Sequence, residues 1–197
     1  AYKGKLYVTA GKTSNAGDPT FFIFDISNTS NPELFGKIDN DAASLVGMNS
    51  ITVDNQYAYA ANISRPTLTG QLQIFDIGDP DSPALIKNFP LAGNSAPGNS
   101  IFYKNGYAFL GTQSGGSYEF NIIDVHDPYS PFGRGVYFIG NGINSIAVRD
   151  NYAYVASPNN QELQILDISN VDSIAFAGSF NSPNGAGHGK SMYFVGS

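Results

Sequence analysis

The sequence contains no cysteine. Disulfide bonds, zinc sites built on thiolates and thiol nucleophiles are therefore excluded. Long apolar runs are also absent: no stretch approaches the length of a membrane helix or a signal peptide, so we expect no membrane insertion. Apolar side chains at helical spacing extend over only a few residues at a time, and helices should be scarce. Because the chain begins with Ala1 rather than Met, we interpret it as a mature or excised piece of a protein.

Positive charge is scarce as well. Lys and Arg together number 10 against 16 Asp and Glu, which gives a net charge of −6 and a pI near 4.6. Binding to nucleic acid requires a basic patch that neutralises phosphates, and the few cations here are scattered. The same acidic balance disfavours anionic membrane surfaces. We therefore expect no nucleic acid among the partners of this chain.

Glycine, proline and aromatic residues are abundant, with 22 Gly, 11 Pro, 14 Phe and 12 Tyr. This composition is typical of an all-β protein. One motif recurs, in which an apolar run ends in an aspartate and a short apolar residue: Phe24-Asp25-Ile26, Phe75-Asp76-Ile77, Ile123-Asp124-Val125 and Leu166-Asp167-Ile168. The aspartates are 51, 48 and 43 residues apart. A period of about 40–50 residues with strand-like content predicts a β-propeller, in which each repeat forms one blade.

Each repeat contains four predicted strands in a constant order. The first strand begins with Ser, and a two-residue turn such as Asn105-Gly106 connects it to the second. The second strand is rich in Tyr and Ala, and its copies start at Leu6, Tyr57, Tyr107 and Tyr152. The third strand ends at the repeated aspartate. The fourth is predicted near residues 33–38, 84–91, 135–140 and 174–180.

The order of strands predicts the domain organisation. The chain contains three strands of one blade, then three complete blades, then one further first strand at 191–195. We therefore predict a single β-propeller domain of four four-stranded antiparallel blades, with approximate bounds 1–48 plus 190–197, 49–98, 99–143 and 144–189. Two arrangements satisfy this count. Either residues 191–195 pair with 6–10 and close a four-bladed ring, which removes free strand edges, or the chain is a segment of a larger propeller.

These repeats resemble the LVIVD repeat, which is found in β-propellers of bacterial and archaeal secreted or surface proteins. The resemblance lies in Tyr-Ala-Tyr-Val-Ala at 152–156, in Leu-x-Ile-x-Asp-Ile-Ser at 163–169, and in the Pro-rich turn at 79–83. It covers essentially the whole chain. It implies a propeller fold and an extracellular or cell-surface location, and it implies no particular activity.

The loops differ between the two faces of the predicted propeller. Connections between strands one and two, and between strands three and four, are uniform from blade to blade. On the opposite face, the loops at 11–20, 63–70, 113–117 and 158–161 and the links between blades vary in length. Function is usually carried by loops that diverge on a constant scaffold. We therefore predict that this variable face is the recognition surface, with Asp18, Arg65, Gln113, Asn159 and His188 as candidate binding residues.

A second candidate site is a ring at the mouth of the central channel. The first strand of each blade lines this channel, which would bring Asn49, Asn99, Asn144 and Lys190 together. Amide oxygens there would suit water, a hard cation such as calcium, or a small polar ligand. The charge of Lys190 argues against a cation, so we expect neither a metal site nor a cofactor. Alternatively, these side chains satisfy backbone groups where the strands begin.

The sequence does not point to catalysis. We interpret the four repeated aspartates as turn anchors, because one carboxylate per blade leaves them too far apart for acid–base work. No Gly-x-Ser-x-Gly elbow, Gly-rich phosphate loop or His-Glu-x-x-His motif is present. The two histidines, His126 and His188, are predicted to lie on opposite faces. We therefore predict no catalytic residues and no enzymatic activity.

The function that the sequence favours is a non-catalytic binding or scaffold module of an exported or cell-surface protein. We expect it to contact a protein partner or further copies of itself, through the variable face or through free strand edges. A glycan-binding propeller is one alternative, although Tyr and Phe are scarce in the variable loops. An enzyme with a site at the channel mouth, using His188 as a lone base, is another.

Overall fold

The structure is a computed structural model, and it describes residues 4–11, 19–39, 47–63, 70–158, 161–183 and 187–195. Within these residues the chain forms fifteen β-strands and no helix. The predicted all-β class is thereby confirmed. In the same segments there is no helix with the length and apolar character needed to cross a membrane.

The strands form four antiparallel sheets, and the order of strands in each sheet follows the chain. The sheets are consistent with four blades. Blade 1 contains β1 (Lys5–Thr9), β2 (Pro19–Asp25) and β3 (Glu33–Asp39); blade 2 contains β4 (Met48–Val53), β5 (Tyr57–Asn62), β6 (Leu72–Asp76) and β7 (Ala84–Phe89); blade 3 contains β8 (Gly98–Lys104), β9 (Tyr107–Thr112), β10 (Phe120–Asp124) and β11 (Phe132–Tyr137); blade 4 contains β12 (Ser145–Arg149), β13 (Tyr152–Ala156), β14 (Leu163–Asp167) and β15 (Ala175–Phe180). Blade 1 therefore has three strands, whereas the other blades have four.

The turns between first and second strands follow the sequence prediction. Asn105 and Gly106 have φ angles of 49° and 78°, which is the pair of positive values that a type I′ hairpin turn requires. Asp150 also has a positive φ, of 51°. In blade 2 the backbone N–H of Asp54 donates to the carbonyl oxygen of Tyr57 (2.8 Å) and closes the equivalent hairpin.

Apolar side chains fill the space between successive blades. Phe21 of blade 1 stacks on Phe75 of blade 2 with ring centroids 5.1 Å apart, and Tyr59 of blade 2 stacks on Tyr103 of blade 3 at 4.9 Å. Phe109 lies in the buried cluster that joins blades 3 and 4. Since alternate residues of a strand point to opposite faces, a blade with neighbours on both sides buries both of its faces.

Each blade contacts the blades that come directly before and after it in the chain. The first strands β4, β8 and β12 contact one another in sequence, and β1 contacts β4 in place of a first strand of blade 1. Among the described strands, no comparable contact joins blade 4 back to blade 1. The structure therefore shows four blades and does not show a closed ring.

The predicted pairing of 191–195 with 6–10 is absent from the described part of the chain. Residues 191–195 form no strand, and β1 pairs with β2 alone. Phe194 instead contacts Tyr154 of blade 4, with ring centroids 5.1 Å apart. The last segment of the chain thus lies against blade 4, and the prediction that it completes blade 1 within the same chain has no support here.

Several strand positions differ from the sequence prediction. The first strands of blades 2 and 3 begin at Met48 and Gly98, each two residues before the predicted Ser. In blade 1, Lys5 lies opposite Asp25, as Tyr57 lies opposite Asp76 in blade 2. The second strand of blade 1 therefore starts at Lys5, one residue before the predicted Leu6. In blade 3 the fourth strand is Phe132–Tyr137, whereas 135–140 was expected, because the strand pairs Asp124 with Phe132 directly after the turn.

Candidate functional site

The asparagines predicted to form a ring tie each blade to the next. The side-chain amide Nδ2 of Asn49 donates to the carbonyl oxygen of Gly98 (3.0 Å) and to Oδ1 of Asn99 (3.1 Å). Asn99 Nδ2 donates to the carbonyl oxygen of Ile143 (2.8 Å). Asn144 Nδ2 donates to the carbonyl oxygen of Gly189 (2.7 Å). Each acceptor directly precedes the equivalent position of the next blade. We call this set of contacts the asparagine latch.

Backbone hydrogen bonds run the other way, from the residue before each of three repeats back to the blade that precedes it. The N–H of Met48 donates to the carbonyl oxygen of Ala10, and the N–H of Ile143 donates to that of Thr112, each at 2.9 Å. The N–H of Gly189 donates to the carbonyl oxygen of Ser157, also at 2.9 Å. Ile143 and Gly189, which accept from Asn99 and Asn144, thus also donate to the end of the preceding second strand. A net stabilisation of about 0.5–1.5 kcal/mol per hydrogen bond makes each junction a substantial contribution to the array.

The asparagine latch shows what the side chains of the predicted ring contact. The structure joins Asn49 to Asn99 directly, and it commits the amide nitrogens of three asparagines to protein acceptors. Lys190 occupies the fourth position with an exposed side chain. These contacts correspond to the alternative in which the asparagines satisfy backbone groups where the strands begin. Their role in holding a ligand stays a prediction.

Of the predicted binding residues of the variable face, the structure describes Gln113 and His188. Asp18, Arg65 and Asn159 lie outside the described residues. Gln113 has an exposed side chain, and its backbone N–H donates to the carbonyl oxygen of Pro97 (2.8 Å). His188 is exposed, with Nδ1 3.0 Å from the carbonyl oxygen of Pro158. The contacts of Gln113 and His188 are thus with backbone carbonyls of neighbouring loops. That the variable face recognises a partner stays a prediction.

Three polar residues on this face were missed by the sequence analysis. Gln71, Glu119 and Glu162 each directly precede the third strand of their blade and hold the segment that follows the fourth strand. The N–H of Leu91 donates to Gln71 Oε1 (2.9 Å), that of Ile139 to Glu119 Oε2 (2.9 Å), and that of Ser182 to Glu162 Oε2 (2.8 Å). The recurring polar residue before an apolar third strand was the signal available in the sequence.

The hydrogen bonds that Glu162 accepts also affect the pKa of its carboxyl group. The Ser182 hydroxyl donates to Glu162 Oε1 at 2.6 Å. The pKa of the Glu162 carboxyl is lowered below its usual value, first by this side-chain hydrogen bond and then by the N–H of Ser182. Donors that point at a carboxylate favour its charged form. The residue is therefore a charged loop anchor.

The repeated aspartates are turn anchors, as predicted. Their Oδ1 atoms accept backbone N–H groups two residues ahead: Asp25 from Ser27 (2.7 Å), Asp76 from Gly78 (2.9 Å), Asp124 from His126 (3.1 Å) and Asp167 from Ser169 (2.9 Å). The Ser27 and Ser169 N–H groups lower the pKa of the Asp25 and Asp167 carboxyls. Within the described segments, no group of three or more His, Asp or Glu side chains is arranged to hold a metal ion.

Both ends of the described array have exposed side chains or a strand edge. At one end, the Phe194 ring lies edge-on against Tyr154, at the position where Tyr103 stacks in parallel on Tyr59 in the interior. Residues 191–195 thus lie at the place of the next first strand. Tyr193 and Val195 of this segment are 89% and 90% exposed. At the other end, β1 is the edge of a three-stranded sheet. Strand edges of this kind are available for pairing with another chain.

A family model for the LVIVD repeat matches residues 16–40, 48–90 and 142–182, which is more than half of the chain. The chain belongs to the LVIVD repeat family. The predicted resemblance is thus confirmed. Blade 3 of this LVIVD chain falls outside the matched segments, yet its four strands follow the same order as those of blades 2 and 4. No curated protein matches the LVIVD chain significantly.

Solved structures share the fold of the LVIVD chain at low sequence identity. The computationally designed Ika8 protein superposes with a TM-score of 0.61 at 10% identity, over 92% of the LVIVD chain and 49% of Ika8. A quinoprotein alcohol dehydrogenase-like protein from Bacteroides thetaiotaomicron gives 0.61 at 16% identity, over 97% and 44%. The designed Ika4 protein gives 0.57 at 11% identity, over 86% and 94%. The LVIVD chain spans about half the length of Ika8, and these likenesses show the fold alone.

Proposed function

We propose that this LVIVD chain is a non-catalytic binding or scaffold module that makes protein–protein or self-assembly contacts through its strand edges. The observation that carries the proposal is the edge strand β1: within the described residues its sheet has no first strand, whereas each of the other three sheets has one. An extended segment of another protein chain can add to such an edge by main-chain hydrogen bonds, while its side chains occupy the flanking surfaces.

The strand edges are favoured over the variable loop face because of what the described side chains do. The latch asparagines and the residues Gln71, Glu119 and Glu162 are engaged with the chain's own backbone. Their polar groups hold the scaffold and are less available to a partner. The outer face of blade 1, in contrast, presents Leu34 at 51% exposed, in a sheet that has no preceding blade in the described chain.

The proposal includes an extracellular or cell-surface setting. It is supported by the LVIVD repeats, which resemble those of secreted and surface propellers. A scaffold role outside the cell needs neither a cofactor nor a metal. It needs a rigid array with exposed edges.

A peptide corresponding to residues 187–195 tests strand addition at β1. We expect the fluorescent peptide to bind monomeric LVIVD chain saturably, with slower hydrogen exchange at the amides of Lys5–Thr9, because backbone pairing protects them. A peptide with the same residues in scrambled order is the control. Failure of the native-order peptide to bind chain that is monomeric by light scattering, or binding that leaves Lys5–Thr9 unprotected, would contradict the proposed use of this edge.

Glycan binding is the second candidate function, and one observation favours it. Tyr118 in the loop before β10 is 46% exposed, and an exposed ring of this kind suits stacking on a sugar. A glycan array with hits that disappear in Tyr118→Ala would favour this alternative. An array without hits would leave the protein-contact proposal as the better account.

A further inference from the structure

Contacts between successive blades include a close approach at the fourth strand. Gly36 in β3 and Gly135 in β11 hold equivalent register positions. A Cβ atom at Gly36 would overlap the Pro80 carbonyl and the Pro83 ring, and one at Gly135 would overlap the Val171 carbonyl. In both cases the obstacle belongs to the turn between strands three and four of the next blade. We call this contact the glycine seat. Blade 2 lacks it.

Blade 4 carries the same glycine without the contact. Gly178 in β15 lies opposite Ile165, as Gly36 lies opposite Ile23 in blade 1. No described atom lies within 4 Å of the place where its Cβ would be. Nearby, Phe180 is 57% exposed. Blade 4 also has the latch contact from Asn144 to Gly189. Its outer face therefore has the same glycine and latch asparagine that earlier blades use to pack against the next blade.

Blade 1 has the complementary features. Its turn between strands three and four places Thr29 and Pro32 where blade 2 has Pro80 and Pro83. Its sheet lacks a first strand in the described chain, while residues 191–195 stand in the position of a first strand without a sheet. The interface that recurs inside the chain can thus be formed once more between blade 4 and a blade 1.

We propose that blade 1 of a second copy of this chain docks on blade 4, and that residues 191–195 pair with β1 of that copy as its first strand. The proposal rests on the proposed function, since it names the partner that uses the β1 edge. A head-to-tail contact of this kind closes into a ring when its rotation allows, and two copies then form an eight-bladed ring.

The internal blades specify the register of the new pairing. In blade 2, Ser50 lies opposite Ala61 and Ile51 opposite Ala60. The equivalent pairs between copies are Ser191 with Thr9 and Met192 with Val8. Because Asp54 and Tyr57 form a hydrogen-bonded pair, alternation along the ladder makes the Met192–Val8 pair non-hydrogen-bonded. Such pairs place Cα atoms about 4.5 Å apart, within the range that a disulfide spans.

Engineered cysteines test the pairing in a chain that has none of its own. Chains carrying Val8→Cys are mixed with chains carrying Met192→Cys, and the mixture is oxidised. We expect a disulfide-linked pair of chains, one of each variant. The matched control uses chains carrying Tyr193→Cys in place of Met192→Cys. A shift by one residue turns the thiol to the opposite face of the strand, so this mixture should give little disulfide-linked product. Absence of a linked pair, or an equal yield from the control, would overturn the proposal.

The double variant Val8→Cys/Met192→Cys distinguishes assembly from ring closure within one chain. Docking between copies predicts linked products of two or more chains under denaturing conditions. An internal disulfide that leaves the denatured chain at 21.0 kDa would show closure within one chain and would overturn the proposal.

A substitution of Gly178, whose glycine seat has no neighbour in the described chain, tests the contact between copies through the mass of the assembly in solution. Wild type is expected at twice the chain mass of 21.0 kDa by light scattering. Gly178→Val should be monomeric with an unchanged circular dichroism spectrum, because Gly178 has open space around it and no positive φ. Gly133→Val in β11 is the matched control: it also adds a side chain to open space, away from the docking face, and should keep the wild-type mass.

Two results separate this inference from the proposed function. A monomeric wild type at every soluble concentration would overturn docking between copies. If the 187–195 peptide still binds at Lys5–Thr9 in that case, the strand edge serves a different protein. If Gly178→Val assembles as wild type does, the glycine seat is not part of the contact and the proposed interface is wrong.

Discussion

At the scale of single residues, Asn99 connects three blades through one amide. Its Nδ2 donates to the Ile143 carbonyl of blade 4, and its Oδ1 accepts from Asn49 of blade 2. The repeat in the sequence predicted the positions of these asparagines. Their acceptors could not be predicted, because all of them lie more than 40 residues away and only the stacking of blades brings them within reach.

Replacing Asn99 by Ala should therefore weaken the array. The Ile143 carbonyl would lose a partly buried donor and keep only the longer hydrogen bond from the Ser100 hydroxyl (3.3 Å). Asn49 would lose an exposed acceptor and keep the Gly98 carbonyl. The loss of such a hydrogen bond costs about 0.5–1.5 kcal/mol. Urea denaturation should show this decrease in the free energy of unfolding. Gln113→Ala, an exposed change on the same face, should alter stability by less than about 0.5 kcal/mol. Equal effects of the two substitutions would show that the latch contributes nothing.

At the scale of strands, the sequence predicted what alternation and turn chemistry encode. The second and third strands of blades 2 to 4 are located well, because Tyr-Ala alternation and the terminal aspartate define their ends. The fourth strand of blade 3 was misplaced by three residues because Gly133 and Gly135 lie in it, and glycine is a poor strand former. Tertiary contact explains the presence of Gly135, which admits the Val171 carbonyl and donates to it at 2.8 Å.

The strand at the end of the chain illustrates a different limit. Residues 191–195 have the sequence of a first strand, and their contact through Phe194 repeats the internal pattern. They nevertheless form no ladder, because a first strand needs a second strand beside it and none follows in the described chain. Sequence pattern predicts which segment is competent to pair. The presence of a partner decides whether it becomes a strand.

At the scale of the whole molecule, blade-to-blade contacts make the array nearly one-dimensional. Each blade touches its neighbours in the chain, so stability is approximately a sum of blade and interface contributions. The terminal blades, with one interface each, are the weakest part. Adding a second copy would supply the end blades with the interface that the inner blades already have.

Thermal unfolding should therefore depend on protein concentration. Association that stabilises only the folded state makes Tm rise with concentration. For a pair of chains of this size we expect about 1–3 °C for each tenfold increase. Calorimetry of wild type and Gly178→Val over a hundredfold range checks this, since the variant should show a constant Tm. A constant Tm for both proteins would mean that the end blades gain no interface in solution, and that the uncovered edges of this array are left for other protein chains.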